Sequence, residues 1–257
     1  MVASIRIPAA PELHYLLRLG DTCLIFGQRL GEWCGHGPIL EEDIALSNMA
    51  LDLIGQARGL LTLAGRNSGA GWDEDQLAFL RDEIDYRNPT LAELPRGDFA
   101  FTVLRNLALA TWLKLMWERL RNSSDTELAA IAGKAIKEAR YHQQHSADWL
   151  VRLGDGTVES KKRCELALSA LWRYAAELFD DDAVDAAAHA TGLGPAWSSL
   201  QAPWRAEMDE VLAEATLAAP QDRAFRSTGK RGVHSEHMGR LLAEMQHLQR
   251  SFPGGAW

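Results

Sequence analysis

Nowhere in its 257 residues does this chain alternate Val, Ile or Thr with polar residues at the two-residue period of a strand. Apolar residues recur instead every three or four positions, which commits the chain to helices packed on helices. Leu19, Cys23, Phe26, Leu30 and Trp33 form one such stripe, predicting a helix from about Glu12 to Trp33. It stops at Cys34-Gly35-His36-Gly37-Pro38, a cluster that no helix continues through. A second helix is expected from about Glu41 to Ala64, its acidic start favoured by the helix dipole. A shorter one follows from about Asp73 to Ile84, and then an irregular stretch from Tyr86 to Gly97. Asp98–Asn122 and Asp125–Leu153 read as two long antiparallel helices around a tight turn, with Asp125 as N-cap. Ser160–Phe179, a short helix after Asp180-Asp181-Asp182, Ala206–Leu217 and Ser235–Arg250 complete the set. The reading is one all-α domain over 1–257, a four-helix bundle with additional helices. Residues 1–11 form an N-terminal extension, 219–233 a basic Gly-containing loop, and 234–257 the last helix and tail.

Bundles of this kind commonly hold two irons, using a carboxylate from each of two helices and a Glu-x-x-His pair from each of the others. This sequence contains one such pair, Glu244 and His247, which cannot chelate two irons. Polar residues nonetheless recur on helix faces: Asp21, Gln28 and Glu32; Asn48, Asp52 and Gln56; Glu138, His142 and His145. The expectation is a buried polar network of Glu32, Asp52, Gln56, Glu138 and His142, satisfied by mutual hydrogen bonds where a metal would otherwise sit. No catalytic residue and no metal ligand are assigned. No Ser/His/Asp or Cys/His arrangement stands out.

The formal charge of −8 argues against nonspecific nucleic-acid binding, which requires a basic footprint. Three widely spaced cysteines, Cys23, Cys34 and Cys164, fit a reducing compartment better than a disulfide framework. No stretch reads as a signal peptide, and none approaches the ~20 apolar residues of a membrane span. A cytoplasmic protein without membrane contact is expected. Nine tryptophans favour extensive packing or a large partner surface. The loop Thr228-Gly229-Lys230-Arg231-Gly232-Val233-His234 combines glycines with two cations, so Lys230 and Arg231 are candidate contacts for a phosphate or an acidic partner.

Several segments resemble the C-subunit family of phenylacetyl-CoA epoxidase (phenylacetate-CoA oxygenase) complexes. They are Gln28-Arg29-Leu30-Gly31-Glu32-Trp33-Cys34-Gly35-His36, Leu51-Asp52-Leu53-Ile54-Gly55-Gln56-Ala57-Arg58, Lys134 through His142, and Leu171-Trp172-Arg173. The terminal blocks Thr228 to Gly232, His234-Ser235-Glu236-His237 and Leu242 to Gln246 carry the resemblance furthest. It runs in order over nearly the whole chain. It implies a ferritin-like fold and a non-catalytic structural subunit that stabilises a paralogous di-iron A subunit as a heterodimer within a higher oligomer. It also implies no cofactor in this chain, a reductase subunit delivering electrons from NADPH, and epoxidation of phenylacetyl-CoA in aerobic phenylacetate breakdown. Positions matching the family's contacts with the CoA thioester are Asp85, Tyr86, Arg87 and Asn88, and Val184, Asp185 and Ala186. Arg87 has the charge to meet a CoA phosphate, and Asp185 does not. Two other readings stay open: a self-sufficient di-iron oxidase using Glu32, Asp52, Glu138, His142 and Glu244, and a helical small-molecule binding protein. Stoichiometry and thioester preference are not encoded legibly.

Overall fold

The computed structural model describes residues 3–221 and 224–255. Among them lie ten α-helices in chain order: α1 (Pro11–Gly31), α2 (Leu40–Asn67), α3 (Glu74–Phe79), α4 (Thr90–Glu93), α5 (Phe99–Leu120), α6 (Thr126–Gly154), α7 (Val158–Ala175), α8 (Ala183–Thr191), α9 (Gln201–Glu214) and α10 (Met238–Ser251). Two isolated bridges are the sole β-type pairing among the described residues, as the all-α expectation requires. The chain forms two compact units, Met1–Pro95 with Thr228–Trp257, and Arg96–Ser227.

The first unit is built on the α1–α2 hairpin. The helices run antiparallel, with Gly20 of α1 against Leu60 and Leu61 of α2, and Gly27 against Ala50 and Leu53. Helix α1 is buried almost throughout, from Leu13 to Leu30. On α2, Leu46, Met49, Leu53, Leu60 and Leu63 are buried as well. The segment before α1 is tied to the end of α3, where the Ile5 amide donates to Leu80 O at 3.0 Å.

The second unit repeats the device with α5 and α6. Arg140 reaches Glu118 at 3.1 Å, Gln143 reaches Thr111 at 3.2 Å, and Phe99 packs edge-on against Trp149 at 5.1 Å. These pairings define an antiparallel hairpin. Asp125 caps α6 as expected, its side chain accepting from the amides of Glu127 and Leu128. The sequence reading finds no membrane-length apolar stretch, and α5 corrects it. Phe99–Leu120 is long and apolar enough to span a bilayer, yet 83% of that window is buried within the protein. Such a helix is the core of its unit, covered along most of its length by its neighbours. Trp112, Trp117 and Leu113 of α5 are shielded from solvent. Four long helices in two hairpins are the elements that a ferritin-like bundle uses.

The three cysteines sit in different environments. Cys23 is buried on α1 and donates to Gln56 Oε1 at 3.6 Å. Burial pushes the Cys164 thiol up to about 11. Cys34, just past α1, is exposed. Since the thiolate is the reactive form, maleimide treatment of the native chain should label Cys34 alone, and all three only after denaturation. Peptide mapping checks this. Labelling of Cys164 at the rate of Cys34 would show that the α7 packing is open.

Candidate functional site

The polar residues of the first unit converge on two linked clusters. In the first, Asp21 lies near the middle of α1 and Arg81 two residues past α3, both fully buried. Arg81 forms a two-pronged ion pair with Asp21, its Nη1 donating to Oδ2 at 2.9 Å and its Nη2 to Oδ1. The guanidinium stacks on the Tyr86 ring at 4.2 Å. Burial opposes the Arg81 cation, but the Asp21 carboxylate outweighs it and holds the group above its ordinary range. Burial likewise pushes the Tyr86 phenol up to about 12. That hydroxyl donates to Ala78 O and accepts from Gln246 Nε2 at 2.9 Å.

Glu93, at the end of α4, anchors the second cluster. Its Oε2 accepts from Asn88 Nδ2 at 2.8 Å and from His234 Nδ1 at 2.6 Å, and its Oε1 from the Ser235 amide at 2.6 Å. Its backbone carbonyl accepts from Arg29 Nε at 2.9 Å and Nη2 at 2.7 Å. The remaining ring nitrogen of His234 meets Tyr86 O at 3.1 Å. These bonds pull the 228–235 loop onto the 84–93 segment. The fit leaves no room for side chains at two glycines. A Cβ on Gly229 would lie 2.6 Å from Asn88 O, and one on Gly232 (φ 85°) would lie 2.4 Å from Ile84 O.

Two of the segments singled out from sequence, 85–88 and 230–231, are therefore neighbours. Asp85, Tyr86 and Asn88 are buried; the Tyr86 hydroxyl donates to Ala78 O and the Asn88 Nδ2 to Glu93. Arg87 is half-buried; its Nη1 donates to Tyr86 O at 2.9 Å and its amide to Asp21 Oδ2 at 2.8 Å. Burial lowers its pKa, though a guanidinium remains cationic at neutral pH. Lys230 is 1% exposed and engaged within the protein, whereas Arg231 is exposed. In the second unit, Val184, Asp185 and Ala186 open α8. Asp185 is buried and its carboxylate accepts the Asp182 amide at 3.0 Å, closing a capping box. Val184 is half-buried and Ala186 exposed.

The five residues expected to form a central network fall in both units. Glu32 is half-buried and pairs with Arg29 one turn earlier. Asp52 is half-buried, and Gln56 is buried against Cys23. Glu138 is half-buried, 3.9 Å from Lys134, and His142 is buried beside the Tyr141 ring at 6.1 Å. Each of the five makes further interactions. No group of three or more His, Cys, Asp or Glu side chains among the described residues is placed to hold a metal ion. Glu244 and His247, the lone Glu-x-x-His, point to solvent on α10. Sequence reasoning missed Arg81, Glu93, Gln246 and the pairing role of His234. Only the Gly-bearing loop around His234 gave a local signal.

Two long helical hairpins and a buried Asp21–Arg81 pair make this an all-α protein of the ferritin-like class. The chain belongs to the phenylacetic acid catabolic protein family, whose model matches residues 6–257. It is 51% identical over 243 residues to the C-subunit of the 1,2-phenylacetyl-CoA epoxidase of Escherichia coli (strain K12), covering 95% of this chain and 98% of that protein.

Proposed function

We propose that this chain is the structural, non-catalytic subunit of a phenylacetyl-CoA 1,2-epoxidase. It would bind and stabilise a di-iron catalytic subunit that receives electrons from NADPH through a reductase. The relative's name supports the complex and the reaction. The structural role is carried by one observation, the outer face of α2. Leu40, Ile44, Ser47, Leu51, Ile54 and Arg58 follow one another at steps of four, three, four, three and four. That is the heptad period of a seam facing another helix. Yet Leu40 is 72%, Ile44 53% and Leu51 65% exposed. Exposed apolar residues repeated along one helix face are the mark of a protein interface. Helix α2 would supply a seam for a helix of the catalytic subunit, and the polar interior of this chain would keep its own hairpins rigid.

A charged group in such a seam must be desolvated against apolar partners, which costs several kcal/mol. Leu51→Asp combined with Ile44→Asp should therefore lower affinity for the co-expressed catalytic subunit by about 100-fold or more. The two exposed positions contribute little to the isolated chain's fold, so its melting temperature should hold. Co-elution and titration calorimetry with the catalytic subunit give the readout. Unchanged affinity in the double variant would remove α2 from the interface, and failure of the unaltered chain to bind would remove the structural role.

A further inference from the structure

Within the second unit, α7, the turn at 176–179, α9 and the segment just before Thr228 line a half-open cavity of about 350 Å³. Trp172, Phe179 and Trp204 wall it with aromatic surface, and Arg173, Arg205 and Arg226 line it with charge. No acidic residue lines it among the described residues, in a chain of net charge −8. The walls are held in place. Trp204 Nε1 donates to Ala108 O at 2.8 Å, its ring lies 5.5 Å from Trp172 and 5.2 Å from Phe179, and Arg205 sits 4.9 Å over Trp172. Asp209 fixes Arg205 through Nε at 3.0 Å. Arg173 lies over the Phe225 ring at 3.8 Å, and its buried Nε finds no hydrogen-bond acceptor among the described residues. A buried donor left without an acceptor is costly unless a ligand supplies one.

We propose that this cavity binds a nucleoside phosphate, its base against the Trp172–Phe179–Trp204 wall and its phosphate on the arginines. Aromatic side chains stack on any base, and the guanidinium fork matches phosphate oxygens. The volume lies in the range of pockets for ligands of this size, whereas a single benzenoid acid would leave much of it unfilled. None of the six residues belongs to the positions to which the family resemblance assigns CoA-thioester contact. The same chemistry is offered by the nucleotide end of a CoA thioester and by free mononucleotides. Two probes distinguish them: adenosine 3′,5′-bisphosphate, which has the phosphates of a CoA end, and AMP.

The experiment is titration calorimetry on the full-length isolated chain, so its outcome does not depend on the proposed role in the complex. Both probes should bind with 1:1 stoichiometry, and phenylacetate should not. Tighter binding of the bisphosphate by about tenfold assigns the site to CoA-type ends, and equal binding assigns it to free mononucleotides. Arg226→Ala, at an exposed position that does not endanger the fold, should weaken binding by on the order of tenfold, and Arg173→Ala by as much or more. Absence of heat from both probes in the millimolar range overturns the proposal. So does binding that survives the Arg173→Ala, Arg226→Ala double variant at full strength.

Discussion

Replacing Arg81 with methionine should destabilise the protein by about 3–5 kcal/mol, since it strands the Asp21 carboxylate in a site closed to water. The aliphatic stem is kept, so the loss isolates the charge. Both side chains are fully shielded. In the variant, Asp21 would retain the Arg87 amide at 2.8 Å as a donor and little else to offset its desolvation. The Arg81 side chain also donates to Asp85 O at 3.1 Å and to Leu77 O, which leaves those carbonyls short of a partner. A loss of this size is a large share of the 5–15 kcal/mol that holds a typical domain together. Urea denaturation gives the measurement. The companion is the double variant Asp21→Leu, Arg81→Met, which removes both charges. It should recover most of the loss, because an apolar pair of similar volume often matches a buried ion pair in stability. A cost below about 1 kcal/mol for Arg81→Met would mean that water reaches the pair.

That core was hidden in the sequence for a physical reason. Hydrophobic period reports which face of one helix is buried, and it located α1, α2, α5 and α6 to within a few residues. Asp125 was legible as a cap because its partners lie two and three residues away. Asp21 and Arg81 are sixty residues apart, and Glu93 and His234 are 141 apart. No local rule pairs residues at such distances. The stretch from Tyr86 to Gly97 looks irregular because its Pro and Gly residues break any period. Within it, α4 turns just four residues to aim Glu93 inward. The helix expected from Asp73 to Ile84 likewise ends at Phe79, leaving Arg81 in an extended turn from which it reaches α1. Seven of the candidate substrate positions came from family resemblance, which locates residues without saying whether they face solvent. Thus Asn88 proves to be a Glu93 ligand and Asp185 part of a helix cap. The paired loops around Lys230 show the opposite case. Their glycines marked a special backbone, and the structure shows that backbone pressed against the 84–90 segment.

Glu93→Gln should cost on the order of 3 kcal/mol near pH 6, and the gap to the unaltered protein should narrow as pH rises. The carboxylate accepts from Asn88, His234 and Ser235, so the amide both removes the charge and turns a donor toward other donors. The pH dependence follows from the two faces of the His234 ring. One nitrogen meets Glu93 and the other the Tyr86 carbonyl, and both are acceptors. Neutral imidazole has a single N–H, so only the cation satisfies both. Burial works against that cation, but the hydrogen bond and charge of Glu93 override it and raise the His234 pKa above its ordinary 6.5. A group with a raised folded-state pKa stabilises fully below its unfolded value. The contribution of the pair is therefore complete below about pH 6.5 and fades as pH climbs through the folded value. Comparing urea midpoints of the two proteins across pH 6 to 9 cancels groups that titrate alike in both. A gap constant over that range would refute the charged pair, as would a ring-proton NMR titration placing His234 at its ordinary value. If the gap does narrow, the clasp between the 228–235 loop and α4 is electrostatic, and mild alkali should loosen that loop before the α1–α2 hairpin melts.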